Sequence, residues 1–226
     1  MNEKNLLQAR GIVKRYPGAE RPAVDHLDLD IGAGEFLSIA GPSGSGKTTL
    51  LHILSSLIQA DAGQILFQGQ DICAAPEAVR NRLRGLVFAV VFQQHHLLPY
   101  LSALENVLLP FLGGIKPARA ADIATAQAML SRVGLAGKEN SRPGQMSGGE
   151  QQRVAIARAL VRGAQVLFAD EPTGSLDSVN GAAIIQLLRE LNSEGLTVVM
   201  VTHNDEFAAQ SDRIVRMADG AIQTLS

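Results

Sequence analysis

Apolar residues recur along this chain with two alternating periods, and that alternation predicts the fold class before any motif is considered. Residues 35–40, 65–67, 87–92, 166–169 and 197–201 are short runs rich in branched and aromatic side chains. The continuous runs at 166–169 and 197–201 suit strands covered on both faces, as in a parallel sheet. Longer stretches between them carry helical spacing. After Lys47, the residues Leu50, Leu51, Ile53, Leu54 and Leu57 follow it, predicting a helix over 47–57. From 101 to 162 the period is mostly helical, broken at Pro110, at Gly113 and Gly114, and across residues 141–144. Asn180 and Gly181 form a hairpin dipeptide, yet the apolar spacing after them is helical, so a helix is expected there. Residues 214–217, then Asp219, Gly220, Ala221 and Ile222, predict a closing hairpin. Strands alternating with helices indicate an α/β protein built on a largely parallel sheet.

Two of the predicted strands end in chemistry. The run 35–40 leads into Gly41, Pro42, Ser43, Gly44, Ser45, Gly46, Lys47 and Thr48, followed by Thr49. This is the P-loop pattern, in the strand-to-helix context that it requires. Glycines let successive amides curl round phosphate oxygens, and the next helix points its positive end at the same anion. Lys47 is expected to reach the β- and γ-phosphates, and the Thr48 hydroxyl to hold Mg²⁺. The run 166–169 ends in Asp170 and Glu171, with Pro172 stiffening the turn. Asp170 is the expected magnesium ligand, acting through water. Glu171 stands where a general base could polarise an attacking water.

Composition narrows the setting. A chain of 226 residues is long enough to bury on the order of 70% of its unfolded surface, so it needs no staple. Cys73 is the only cysteine, which rules out an internal disulfide and points to a reducing compartment. The net charge of -2 gives no nucleic-acid footprint, so no nucleic-acid partner is expected. Residues 1–10 show no signal-peptide core. The longest apolar run, 86–92, falls far short of the roughly 20 residues that span a bilayer. Any membrane role is therefore expected to come through a partner. His95 and His96 are adjacent and have no neighbouring cysteine or carboxylate, so no metal site is expected there.

Met146, Ser147, Gly148, Gly149, Glu150, Gln151, Gln152 and Arg153 narrow the field further. The segment resembles the signature motif of the ABC ATPases, which lies shortly before an Asp-Glu strand as it does here. Physically it is a helix start, where Ser147 and Glu150 could be a simple capping box or the amides a second anion site. The resemblance extends over nearly the whole chain. It implies a P-loop core with an antiparallel β subdomain over about 1–92 and 163–226, and an inserted helical subdomain over about 93–162. Tyr16 resembles the aromatic that stacks on adenine, although it could instead be a core tyrosine. Gln93 resembles the glutamine that senses Mg²⁺ and the attacking water, with Gln94 its rival by register. Ser175, Leu176 and Asp177 resemble the loop that crosses to the opposite subunit. His203 resembles the switch histidine that contacts the γ-phosphate.

The implied function is ATP hydrolysis by a head-to-tail dimer, each ATP with Mg²⁺ covered by Ser147, Gly148, Gly149 and Glu150 of the other subunit. The dimer would drive a transmembrane permease from the cytoplasmic face of the inner membrane. Residues 95–99 with 104–107 are most similar to the ATPases of lipoprotein-releasing systems and macrolide or peptide exporters, with a cell-division relative close by. Met146, Glu150, Asn204 and the pair Ala89 and Val90 depart from the common family pattern, but every catalytic position is filled. The competing reading is a soluble ABC ATPase of DNA repair, translation or Fe–S assembly. In the expected loop 95–100, Leu97, Leu98, Pro99 and Tyr100 form a candidate permease-docking surface.

Overall fold

The computed structural model describes residues 5–112 and 118–223. The chain opens with two long strands, β1 (Asn5–Lys14) and β2 (Val24–Gly32), and then the short, wholly buried β3 (Phe36–Ala40). Helix α1 (Lys47–Leu54) follows, then β4 (Ala62–Phe67), β5 (Gln70–Asp71), α2 (Glu77–Leu86) and β6 (Phe88–Val91). Three helices come next: α3 (Ala103–Leu108), α4 (Ala120–Arg132) and α5 (Gly148–Leu160). The chain then alternates through β7 (Val166–Asp170), α6 (Ser178–Ser193), β8 (Thr197–Thr202) and α7 (Asp205–Ala208) before the hairpin β9 (Arg213–Ala218) and β10 (Ala221–Gln223).

Two sheets result. One is antiparallel, in the order β2-β1-β4-β5; the other runs β10-β9-β3-β8-β7-β6. The second is parallel except for its closing hairpin. Its central strands separate two cores by simple alternation. Leu167, Ala169, Val198 and Met200 face a core made with α3 to α6, whereas Val166, Phe168, Val199 and Val201 face α1 and the antiparallel sheet. Covering both faces explains why these strands read as continuous apolar runs. Each fully buried Leu, Ile or Phe contributes about 1.5–3 kcal/mol of transfer free energy, so the sheet is the anchor for everything that leaves its edges.

Expectation and structure differ at three points. Helix α1 stops at Leu54, and Ser56 takes φ 61 while the Leu57 amide donates back to the His52 carbonyl. Leu57 is therefore off the helix and 40% exposed. Helix α2 has no buried residue, so its stretch carried no core stripe to reveal it. Of the four apolar residues in the loop after β6, Leu97 packs against the core beside α3 and α5, while Leu98 and Tyr100 stay exposed. The helical reading at Asn180 and Gly181 holds, since both lie in α6. The break at Gly113 and Gly114 lies outside the described residues. Among the described residues, no helix is long and apolar enough to cross a membrane.

Candidate functional site

Strand β3 delivers the chain into the loop 41–46 at the carboxyl edge of the parallel sheet. Two glycines there are forced by close approach. Gly41 has φ 150 and a Cβ on it would stand 2.2 Å from the Met217 carbonyl oxygen; Gly46 has φ 97 and a Cβ would stand 2.0 Å from that of Ala23. A side chain at Gly41 would push the loop off the hairpin, and one at Gly46 would push it off the backbone that leads into β2. Lys47 is buried inside the loop, its Nζ donating to the carbonyl oxygens of Gly41 at 2.8 Å and Pro42 at 2.7 Å. Burial holds the Lys47 ammonium below the usual lysine range, a shift partly offset by the nearby charges of Glu171 and Asp170.

Helix α1 begins without a side-chain cap and with no acid in its first turn. Helices α3, α5 and α6, by contrast, are capped by Ser102, Ser147 and Asp177. The α1 amides and the loop around them thus form a cradle for an external anion. Its hard-oxygen neighbours suit a magnesium ion: the Thr48 hydroxyl donates to Asp170 Oδ1 at 2.9 Å and keeps its lone pairs free. Phosphate groups and Mg²⁺ both fit the residues present.

Four neighbouring parallel strands bring the remaining candidates to this edge. Ala40 is paired with Thr202, Val201 with Asp170, and Ala169 with Val91. The residues that follow, Gly41, His203, Glu171 and Gln93, therefore emerge side by side. In open α/β sheets such a carboxyl edge is where ligands bind. Burial pushes the Asp170 carboxyl above the usual range, opposed by the Thr48 hydrogen bond and by His52 and Lys47. Glu171 sits at φ 46, an uncommon conformation for a non-glycine residue, with its amide bonded to the Val201 carbonyl. Its Oε2 lies 3.1 Å from His203 Nδ1. A Cβ on Gly174 would stand 2.8 Å from Gln93 Nε2 and 3.2 Å from Glu171 Oε2, so both side chains converge on that bare backbone. Gln93 is the glutamine that reaches the acid turn, and the Ser175 hydroxyl lies 3.5 Å from its carbonyl oxygen.

Tyr16 is 42% exposed, not a core residue, and its hydroxyl lies 3.5 Å from Thr49 Oγ1 beside the cradle. The segment Ser147, Gly148, Gly149 and Glu150 forms a full capping box at the start of α5: Ser147 Oγ accepts from the Glu150 amide and Glu150 Oε2 accepts from the Ser147 amide. The cap uses Ser147 as an acceptor and leaves its hydroxyl hydrogen free to donate outward. Gly148 lies against Leu176, and Gly149 against Asn180 in the first turn of α6, whose cap is Asp177. Among the described residues, no hydrogen bond or ion pair joins this segment to residues 41–49 of the same chain.

Two residues that sequence reasoning passed over hold the loop after Gln93. Arg158, at the far end of α5, donates to the carbonyl oxygens of His95 at 2.8 Å and His96 at 2.7 Å. Asn106 is fully buried and bonds both ways with the Leu98 backbone, donating also to the Leu101 and Ser102 carbonyl oxygens. Their signal was weak because an Arg and an Asn on helices read as ordinary solvated positions. In the fold they replace a sheet ladder as the loop's hydrogen-bond partners.

Residues 24–174 match the family described as ABC transporter. A macrolide export ATP-binding/permease protein of Nitrosomonas europaea is 48% identical over 96% of this chain, and the chain covers 33% of that protein. The chain thus spans about a third of the length of the macrolide-export relatives it matches. A lipoprotein-releasing system ATP-binding protein of Rhodopirellula baltica is 46% identical over 96% of the chain, which here covers 89% of the relative. Among solved structures, a dimeric ATP-binding cassette in a post-hydrolysis state bound to ADP and Pi superposes with a TM-score of 0.86. It is 37% identical, with coverage of 96% of this chain and 97% of that one. An α/β cassette fold, a phosphate cradle beside paired acids at one sheet edge, and these likenesses agree: the chain belongs to the ABC transporter family.

Proposed function

We propose that this chain binds and hydrolyses ATP as one half of a head-to-tail pair and so drives a transmembrane permease. The observation that supports it most strongly is the convergence of Lys47, Asp170, Glu171, His203 and Gln93 at the ends of four adjacent strands. ATP lies with its adenine on Tyr16 and its phosphates in the loop 41–49. Thr48 and the Gln93 side-chain amide, with Asp170 acting through water, would hold Mg²⁺, which would neutralise phosphate charge as it is redistributed. Lys47 leaves the Gly41 and Pro42 carbonyls for the β- and γ-phosphates, exchanging two neutral acceptors for anionic ones. Glu171 takes a proton from the attacking water as the water oxygen bonds to the γ-phosphorus. The bond to the β–γ bridging oxygen breaks, and ADP leaves with that electron pair. His203, 3.1 Å from Glu171, orients the base and donates toward the γ-phosphate.

The cap leaves the Ser147 hydroxyl hydrogen over, and the Gly148 and Gly149 amides open the helix beside it, which supports their covering the nucleotide of a second copy. Leu176 lies against Gly148, which supports reading Ser175, Leu176 and Asp177 as the loop that crosses the same interface. Closure then needs ATP on both sides, and hydrolysis removes the contacts that hold the clamp shut. The similar proteins are named as export and lipoprotein-releasing systems, which favours a permease-bound chain at the cytoplasmic face of the inner membrane over a soluble ATPase. The test is Glu171→Gln. The amide keeps the shape but cannot accept the proton. ATP binding should survive, hydrolysis should stop, and size exclusion with ATP and Mg²⁺ should show a dimer where the nucleotide-free protein runs smaller. Wild-type turnover in this variant would move the base elsewhere.

A further inference from the structure

Asp170 is gripped from one face of α1. Thr48 and His52 stand four residues apart, so both side chains rise over the same side of the helix. The Thr48 hydroxyl takes Asp170 Oδ1 at 2.9 Å, and His52 Nε2 faces the other oxygen, Oδ2, at 3.7 Å. That nitrogen is shut off from solvent and has no hydrogen-bond partner. A buried polar atom without a partner is costly and calls for a physical explanation at its site. The gap exceeds a hydrogen bond by only about 0.5–1 Å, within reach of a small side-chain adjustment. The ring is also braced in orientation: Phe92, directly before Gln93, packs against it edge to face with centroids 5.9 Å apart.

We propose that His52 is a positioning residue for the metal site, closing its Nε2–H onto Asp170 Oδ2 to lock the carboxylate in the orientation that binds Mg²⁺. The inference rests on the assignment of Asp170 as the magnesium ligand. With Oδ1 taken by Thr48 and Oδ2 by His52, the carboxylate cannot rotate about its terminal bond, so its remaining lone pairs point in one direction. Partners of this kind around a ligand carboxylate change metal affinity by roughly 10–100-fold when removed. The grip also ties three segments together, since α1, the end of β7 and the residue before Gln93 meet at one ring. None of this requires His52 to be charged, because the neutral ring with its hydrogen on Nε2 suffices.

The experiment uses Glu171→Gln chains, in which bound ATP persists, and follows dimer formation by size exclusion as Mg²⁺ is raised at one fixed ATP concentration. The nucleotide's own chelation is then common to all variants. His52→Leu keeps the packing against Phe92 but removes the donor, and should move the magnesium midpoint up by about 10-fold or more. His52→Gln carries an amide nitrogen at similar reach and should return most of that shift. ATP binding in EDTA, which needs no metal, should be the same in all three chains. An unchanged midpoint in His52→Leu overturns the proposal. So does a loss of ATP binding in EDTA, which would make His52 a packing residue, or a failure of His52→Gln to restore the midpoint. If the Glu171→Gln chain alone dimerises with ATP regardless of Mg²⁺, the assignment of Asp170 falls instead, and the proposal with it.

Discussion

At the residue scale the site is a set of charges held ready by neutral neighbours. Lys47 illustrates the economy: a buried ammonium is tolerated because two loop carbonyls occupy it until phosphate arrives. Lys47→Ala removes the cation fixed inside the loop, and among the described residues no other side chain bonds to these carbonyls. Turnover at saturating ATP should fall by at least ~10²-fold, the range for losing a preorganised electrostatic donor. A steady-state ATPase assay checks this, and near-normal turnover would show that phosphate lies elsewhere. Glu171 carries its own strain, a positive φ, which the sheet tolerates because its amide is tied to Val201. That placement puts the carboxylate over the Gly174 backbone, where a Cβ would stand 2.8 Å from Gln93 Nε2 and push that side chain aside.

At the scale of elements, helix starts divide the labour. Helix α1 offers its amides bare, whereas α5 is capped by its own Ser147 and Glu150. The two readings of the Ser147 segment, cap and anion site, are therefore compatible in chemistry, since one hydroxyl can accept inward and donate outward. Ser147→Arg tests the outward role. The lost cap should cost about 1 kcal/mol of stability. The exposed arginine should block a second chain from presenting its nucleotide. ATP binding to the single chain should survive while hydrolysis falls on the order of 10²-fold. Should nucleotide binding vanish together with activity, the segment would serve its own chain's ATP instead. Helix α5 also carries Arg158 near its end, so the element that starts at Ser147 finishes on the loop after Gln93. Motion of one end is felt at the other through a rigid rod about 20 Å long.

At the scale of the whole molecule, the loop that Arg158 and Asn106 hold presents Leu98 and Tyr100 to solvent, at 48% and 86% exposure. Ordered, apolar and outward-facing side chains on a loop pinned by a buried asparagine are suited to anchor a partner. Leu98→Asp combined with Tyr100→Ala changes surface positions, so stability should move by no more than ~0.5 kcal/mol per site. ATP binding should be retained, while co-purification with the permease and transport should be lost together. A double variant that melts well below its parent would place these residues in the core and the docking surface elsewhere.

Local sequence determined the pieces that depend on short spacing. The parallel strands announced themselves because both faces are covered. The cradle did so because Gly41 and Gly46 have no alternative at their backbone angles, and the acids because they end a buried strand. Helix α2 escaped notice because it buries nothing, and the end of α1 was misplaced because Leu57 kept the helical spacing after the chain had turned out through Ser56. Tertiary structure alone decided which distant residues meet. Strand order β3-β8-β7-β6 cannot be read from spacing, yet it sets Lys47, His203, Glu171 and Gln93 along one edge. The same holds for His52 beside Asp170 and for Arg158 beneath His95. These contacts join residues tens of positions apart, and what selects them is the closing of two apolar cores on a common sheet rather than any local preference of the chain.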